Sequence, residues 1–220
     1  MTLFVYATRG EAAFLRERAS AQALWHGRER LSGSGWEGLE LGIGKANAAM
    51  TLAAYLETHD HVRRILLVGV GGAYPGAGLG VGAVALAAQE IQADLGTTGG
   101  LEALGFPALV LDGRRLYNHL PADPLWTAEL HSRLGLAPKP FLTRDAVSET
   151  YEEAAELERR WGAAIENMEG AAVAQTALWY GLPWAEVRAV SNLAGVRDKS
   201  RWDLPMALEA LGNALVPLLE

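Results

Sequence analysis

Two stretches decide how the chain folds: Glu166-Asn167-Met168-Glu169-Gly170-Ala171-Ala172 and, further on, Val187-Arg188-Ala189-Val190-Ser191-Asn192. In the first, a short strand runs into an acidic residue at the mouth of an apolar helix. In the second, an apolar strand ends in a polar Ser-Asn pair. Ligands of open α/β sheets bind in the crevice outside the strand ends, and both polar groups would project there.

Working outward, Arg64-Ile65-Leu66-Leu67-Val68-Gly69-Val70 is the strongest buried strand, continuing into the turn-like Gly71-Gly72-Ala73-Tyr74-Pro75-Gly76. Further strands are predicted at 3–7, 36–41, 83–88, 141–147, 163–167 and 184–191. Helical spacing marks 46–58, 125–134, 151–161, 171–180 and 204–219. Thr150-x-x-Glu153 predicts a capping box at the start of 151–161. Residues 89–123, interrupted by Gly99-Gly100 and Pro107, read only as turns. Strands alternating with helices predict an α/β fold, a largely parallel sheet covered on both faces, in a single domain spanning 1–220.

Composition narrows the function. The 220 residues are half hydrophobic and one-fifth charged, a globular balance. A net charge of -7 with no basic block argues against nucleic acid or an anionic membrane as partner. No apolar run reaches the roughly 18–20 residues of a membrane span, and Met1–Ala7 lacks a basic n-region, so a cytoplasmic location is expected. The absence of cysteine removes thiolate catalysis and Cys-ligated metal sites, and the five histidines fall at no metal-ligand spacing. The glycine cluster after Gly69 is not a dinucleotide fingerprint, because Tyr74 stands where glycine is required and Pro75 where a helix should begin. It fits either a tightly packed loop or a place where backbone N–H groups of Gly71 and Gly72 approach a ligand. Glu11 and Glu169 each fit a helix-terminal acid, and Asn192 a turn former.

Glu11 after the first strand, Gly42-Ile43-Gly44-Lys45 before a helix, the Gly71-Gly72 turn, Met168-Glu169-Gly170-Ala171 and Ser191-Asn192 occur in an order that resembles the purine nucleoside phosphorylase/nucleosidase superfamily. The spacing is similar to its nucleosidase branch, which includes methylthioadenosine/S-adenosylhomocysteine nucleosidases and futalosine hydrolases. Gly71–Gly76 followed by Ala93-Asp94-Leu95-Gly96, and Ser191–Gly195 followed by Arg197-Asp198, look most like the futalosine hydrolases. That resemblance implies a three-layer phosphorylase/hydrolase-like fold with a central twisted mixed sheet, partly barrel-like and flanked by helices. It implies release of hypoxanthine from futalosine on an alternative route to menaquinone, without metal or organic cofactor. Other purine nucleosidases and a non-catalytic nucleoside-binding relative are the alternatives. The family is commonly oligomeric, and the seven tryptophans and apolar helices fit a homodimer or higher homo-oligomer. Two positions depart from the family: Gly82-Ala83 stands where Gly-Asp is frequent, and Asn192 where the adenine nucleosidases carry Asp.

Carried over position by position, the resemblance implies that Glu11 activates water, Glu169 binds the ribose 2′ and 3′ hydroxyls, and Met168 packs under the sugar. Gly71 and Gly72 would let the ligand approach the backbone, Val147 and Ser148 would line the base pocket, and Ser191 would orient Asn192. An Asp can carry a proton to purine N7, whereas an Asn cannot but offers two N–H donors. Hypoxanthine presents acceptors at N7 and O6, so Asn192 points to a 6-oxopurine. The distal benzoate of futalosine calls for a cation, with Arg9, Arg144, Arg197 and Lys199 as candidates.

Overall fold

A computed structural model describes residues 1–219. Its strands are β1 (Thr2–Tyr6), β2 (Ala21–Trp25), β3 (Arg28–Ser32), β4 (Trp36–Glu40), β5 (Arg64–Ala73), β6 (Val84–Gln92), β7 (Leu109–Leu111), β8 (Arg114–Leu116), β9 (His119–Pro121), β10 (Pro138–Thr143), β11 (Ile165–Asn167) and β12 (Trp184–Leu193). Its α-helices are α1 (Ala13–Arg16), α2 (Lys45–Leu56), α3 (Pro124–Leu134), α4 (Tyr151–Trp161), α5 (Gly170–Trp179) and α6 (Leu204–Leu215).

The continuous apolar run of β5 needs cover on both faces, and it sits inside the sheet between parallel neighbours β1 and β12. From β5 the sheet runs outward through β1, β4, β3 and β2, and the other way through β12, β6, β10 and β11. The second arm then returns, because β11 pairs antiparallel with β5 through Ile165↔Ala73 and Glu166↔Gly72. Five strands thus close into a barrel while the other arm stays open. The sheet is mixed rather than largely parallel: β12 runs antiparallel to β6, and the β2–β3–β4 meander is antiparallel.

Side-chain alternation along β1 splits the core. Leu3 and Val5 pack with Leu52 and Tyr55 of α2 and with Val173 and Ala177 of α5. Phe4 and Tyr6 pack on the other face with Leu15 of α1, Leu130 of α3 and Leu211 of α6. Helices therefore cover both faces, giving three layers. Among the described residues no helix is long and apolar enough to cross a membrane.

Local readings change at several points. Gly71-Gly72 is not a turn but the end of β5, and its glycines are required by the returning strand. A Cβ on Gly71 would lie 2.5 Å from Ile165 Cγ2 and 2.7 Å from the Glu166 carbonyl oxygen. The strand expected at 141–147 instead covers Pro138–Thr143; its two prolines conceal its start, and a register shift falls between Lys139 and Pro140. The β2–β3 hairpin is an addition to the predicted strands, with β2 almost wholly exposed. Its turn, with His26 and Gly27 at φ 47° and 79°, is of the two-residue type that suits hairpin twist. Residues 89–123 hold the end of β6, the β7–β8 hairpin and β9. At α4, Thr150 Oγ1 accepts from Glu153 N at 3.2 Å, while the Glu153 carboxylate reaches back to Glu149 N at 2.9 Å, one residue earlier than a capping box requires.

Barrel closure leaves no room at Gly71. Gly71→Ala is expected to cost about 1–3 kcal/mol by overpacking against backbone, lowering Tm by about 2–4 °C per kcal/mol. An unchanged Tm in a thermal melt would show that β11 yields.

Candidate active site

A cavity of about 460 Å³ opens at the ends of β5, β11 and β12. All nine residues singled out from the sequence line it: Glu11, Gly71, Gly72, Val147, Ser148, Met168, Glu169, Ser191 and Asn192. So do Arg188 and Glu166, to which the sequence attached no task.

Arg188 holds one side of the cavity together. It is 2% exposed, in the middle of β12. Its Nε donates to Glu186 Oε1 at 2.6 Å, Nη1 to the Val70 carbonyl at 2.8 Å and Nη2 to Glu169 Oε2 at 3.3 Å. Burial pulls its pKa down, but Glu186, Glu169 and Glu11 outweigh burial and raise it. A buried arginine needs such partners, since an unpaired charge there would cost many kcal/mol. Behind Glu186 lies Glu90, also fully buried, and both carboxylates border the Cα of Gly170. Burial first, then the charge of Glu186, push the Glu90 pKa well up. Its oxygens also accept from Thr143 Oγ1 at 2.7 Å and Asn167 Nδ2 at 2.6 Å.

Glu11 sits on the 3₁₀ turn Arg9–Ala12 that follows β1. Its Oε2 accepts from Thr8 N at 2.9 Å and Oε1 from Val70 N at 3.0 Å. Room for it comes from Gly69, whose Cβ would stand 2.5 Å from Glu11 Oε1. Burial raises its pKa, opposed by Arg188 and the Val70 N–H. A buried carboxylate with a raised pKa is a stronger base than a free one.

Glu169 is the N-cap residue of α5, yet its carboxylate does not cap the helix. Asn167 Oδ1 does so instead, accepting from Glu169 N at 3.0 Å and Gly170 N at 2.7 Å. The Glu169 side chain is thereby left to the cavity, held by Arg188 and by Gly44 N at 3.0 Å. Gly44, at φ 88°, turns that N–H inward from a backbone region that favours glycine.

At the other end, a bulge in β12 after Val190 leaves Ser191 unpaired in the ladder to β5. Bulges re-aim side chains, and here the consecutive Ser191 and Asn192 both line the cavity. Ser191 Oγ donates to Asn192 Oδ1 at 2.8 Å, and Asn192 Nδ2 donates to the Leu193 carbonyl at 3.0 Å. A carbonyl only accepts, so the amide nitrogen must face Leu193. This corrects the expectation that both amide hydrogens serve a purine: one is committed to Leu193 and one remains. On the facing wall the Glu166 carboxylate accepts from the N–H and hydroxyl of Ser148.

Of the four candidate cations, Arg9 pairs with Glu40 at 3.1 Å and Arg144 with Glu153 at 2.8 Å. Arg197 and Lys199 line the cavity. Arg188 could have been suspected from the sequence, since a charged residue inside an apolar strand is seldom buried without partners. Glu166 follows the same rule on β11. Glu90 carried no such signal, because β6 was read as ending before it.

The sequence matches the phosphorylase superfamily over residues 28–220. It is 52% identical to a futalosine hydrolase of Thermus thermophilus over 219 residues, covering 100% of this chain and 95% of the relative. It is 38% identical to a futalosine hydrolase of Streptomyces coelicolor, covering 84% and 80%. The fold superposes on a methylthioadenosine/S-adenosylhomocysteine nucleosidase from Colwellia psychrerythraea in complex with adenine (TM-score 0.83, 20% identity, 99% and 93% coverage). A futalosine hydrolase mutant of Helicobacter pylori superposes with TM-score 0.80 at 20% identity, covering 98% and 96%. By family model and by full-length identity, the chain belongs to the futalosine hydrolases of the phosphorylase superfamily.

Proposed function

We propose that this protein hydrolyses the N-glycosidic bond of futalosine, giving hypoxanthine and dehypoxanthine futalosine on the route to menaquinone. The observation that carries this is one cavity holding Glu11, Glu169 and Asn192 in a chain 52% identical, over its whole length, to a futalosine hydrolase. In departure of the base, the ribosyl carbon becomes cationic and the purine gains electron density. Each change needs a complementary charge or dipole in place beforehand.

The sugar end supplies negative charge. Glu186 sits behind Arg188 and offsets its charge, so that Glu11 and Glu169, which line the cavity, present negative charge where an oxocarbenium ion would form. Glu169, freed from capping, accepts from the ribose hydroxyls. Glu11 holds a water and takes its proton as that water attacks the ribosyl carbon and the C–N bond breaks. Met168 packs against the sugar face. At the base end, the one free N–H of Asn192 donates to the leaving purine. The lining cations Arg197 and Lys199 suit the distal carboxylate of futalosine.

The same proposal takes the enzyme as a cytoplasmic homo-oligomer acting on a soluble nucleoside. Met50 of α2 and Trp179 of α5 support association, being 64% and 69% exposed on neighbouring helices. A scattering-derived mass equal to one chain would contradict it.

Incubation with futalosine should release hypoxanthine at the same rate with and without phosphate; stimulation by phosphate would indicate a phosphorylase instead. Glu11→Gln should lower kcat about 10²–10⁴-fold. Because burial raises the Glu11 pKa, the basic form is lost as pH falls through a value above the ordinary 4.5. The acid limb of kcat/KM should therefore lie above 4.5 and disappear in Glu11→Gln. Asn192→Asp replaces the neutral donor by a carboxylate and should cost about 10²-fold in kcat on futalosine, the scale of one lost transition-state donor.

A further inference from the structure

Behind the cavity lie two buried carboxyl groups, and the hydrolysis just described gives Glu90 no task. Glu90 stands on β6 and Glu186 on β12, both 0% exposed and within hydrogen-bonding reach of each other. Gly170 makes this approach possible, since a Cβ there would collide with Oε1 of Glu90 and Oε2 of Glu186. Oε1 of Glu186 accepts from Arg188 Nε at 2.6 Å. Its Oε2 is buried and receives no hydrogen bond from an N–H, hydroxyl or cationic group among the described residues. No cation among them pairs with Glu90, and the one guanidinium nearby already faces Glu186, Glu169 and Glu11. Two carboxylates this close, shut off from water, cannot both ionise readily, and an acceptor buried without a donor is costly. One proton placed between them removes both conflicts. Burial and the charge of Glu186 raise the Glu90 pKa, the direction that such a proton requires.

Both ties that orient Glu169 lead back to this pair. On the side-chain tie, Glu186 fixes Arg188, whose Nη2 donates to Glu169 Oε2. On the backbone tie, Glu90 Oε1 accepts from Asn167 Nδ2 at 2.6 Å, and Asn167 Oδ1 accepts from Glu169 N and Gly170 N. Glu90 Oε2 accepts from Thr143 Oγ1 at 2.7 Å, and that hydroxyl oxygen accepts from Ala171 N at 2.7 Å. The neighbouring strands add no charge here, since Glu90 stands in register with Leu120 of β9 and Phe141 of β10.

We propose that Glu90 and Glu186 share one proton and act as a positioning pair, fixing Arg188 and Asn167 and through them the Glu169 carboxylate. This deepens the hydrolase proposal and rests on it for the task of Glu169. Loss of the shared proton would set two like charges against each other beneath the first turn of α5 and loosen both ties. Activity should therefore fall on the alkaline side.

The informative substitution is Glu186→Gln. Its amide oxygen can accept from Arg188 Nε, and its amide N–H can donate to an ionised Glu90. The hydrogen bonds and the single negative charge of the pair are kept, and only the shared proton is gone. Infrared difference spectra at neutral pH should show a protonated-carboxyl band in wild type that the variant lacks. With the folded-state pKa of Glu90 raised, its contribution to stability is full below the ordinary 4.5 and is lost as pH rises toward the folded value. The loss is up to about tenfold in the folding constant per pH unit, and Glu186→Gln should flatten that slope in denaturant melts. At neutral pH its kcat on futalosine should stay within about tenfold of wild type, the scale of one altered hydrogen bond. The alkaline fall in kcat/KM should move upward or vanish. A difference spectrum without the carboxyl band, a Glu186→Gln chain that fails to fold, or the same alkaline profile in both proteins would each overturn the proposal. The spectra and melts need no turnover. Failure of the wild type to release hypoxanthine from futalosine would therefore sink the hydrolase proposal separately.

Discussion

The ion cluster on Arg188 is the constraint around which the cavity is built. One guanidinium, 2% exposed, faces Glu11 from the first turn of the chain, Glu169 from the head of α5 and Glu186 from its own strand. Taking such charges out of water costs several kcal/mol per ion unless geometry and hydrogen bonds are good. Here Nη1 of Arg188 donates to the Val70 carbonyl, and burial together with the charge of Glu186 pushes the pKa of the fourth buried carboxylate, Glu90, well up. The cluster ties β1, β5, β12 and α5 to one point. Removing the arginine would leave carboxylates facing one another in the core, so the acidic wall of the cavity and the stability of the barrel share an origin.

Barrel closure and site geometry are likewise coupled through glycine. Gly69 gives space to Glu11, Gly71 lets β11 return against β5, and Gly72 lets Glu166 and Asn192 pack close, since a Cβ there would stand 3.3 Å and 3.2 Å from them. Three glycines within four residues weaken a strand by entropy and lost packing. β5 tolerates them because its first half, Ile65–Val68, is fully buried between parallel neighbours. A strand that is strong at one end and bare at the other is what a site at strand ends needs.

Much of this was legible. The period of the apolar residues located the long elements, and Thr150 and Glu153 marked the start of α4. The polar residues ending strands at 169 and 191–192 pointed to the cavity they line. What was not legible depended on partners distant in sequence. The glycines after Val68 look like a turn until β11 lies across them. β10 is disguised by Pro138 and Pro140, and β2 by its exposure, since its mostly apolar residues stay outside the core. Glu169 looks like a helix cap because nothing in the sequence says that Asn167 takes that work. Arg188 and Glu166 were visible as charges in apolar strands, but their partners come from other strands and loops.

The wall of the cavity near Gly72 brings Asn192 and Glu166 together. An Asp at 192 would set a second carboxylate beside Glu166 over Gly72, in a wall that Ser148 and the strands keep from water. Two like charges so placed cannot both ionise at ordinary pH; one takes a proton and its pKa rises. Either Glu166 would stop acting as an acceptor, or residue 192 would become a proton donor. An amide at 192 removes the conflict, since it donates without charge and is fixed by the hydroxyl of Ser191 and the carbonyl of Leu193. Asn192 thus places a donor near Glu166 without adding a second charge.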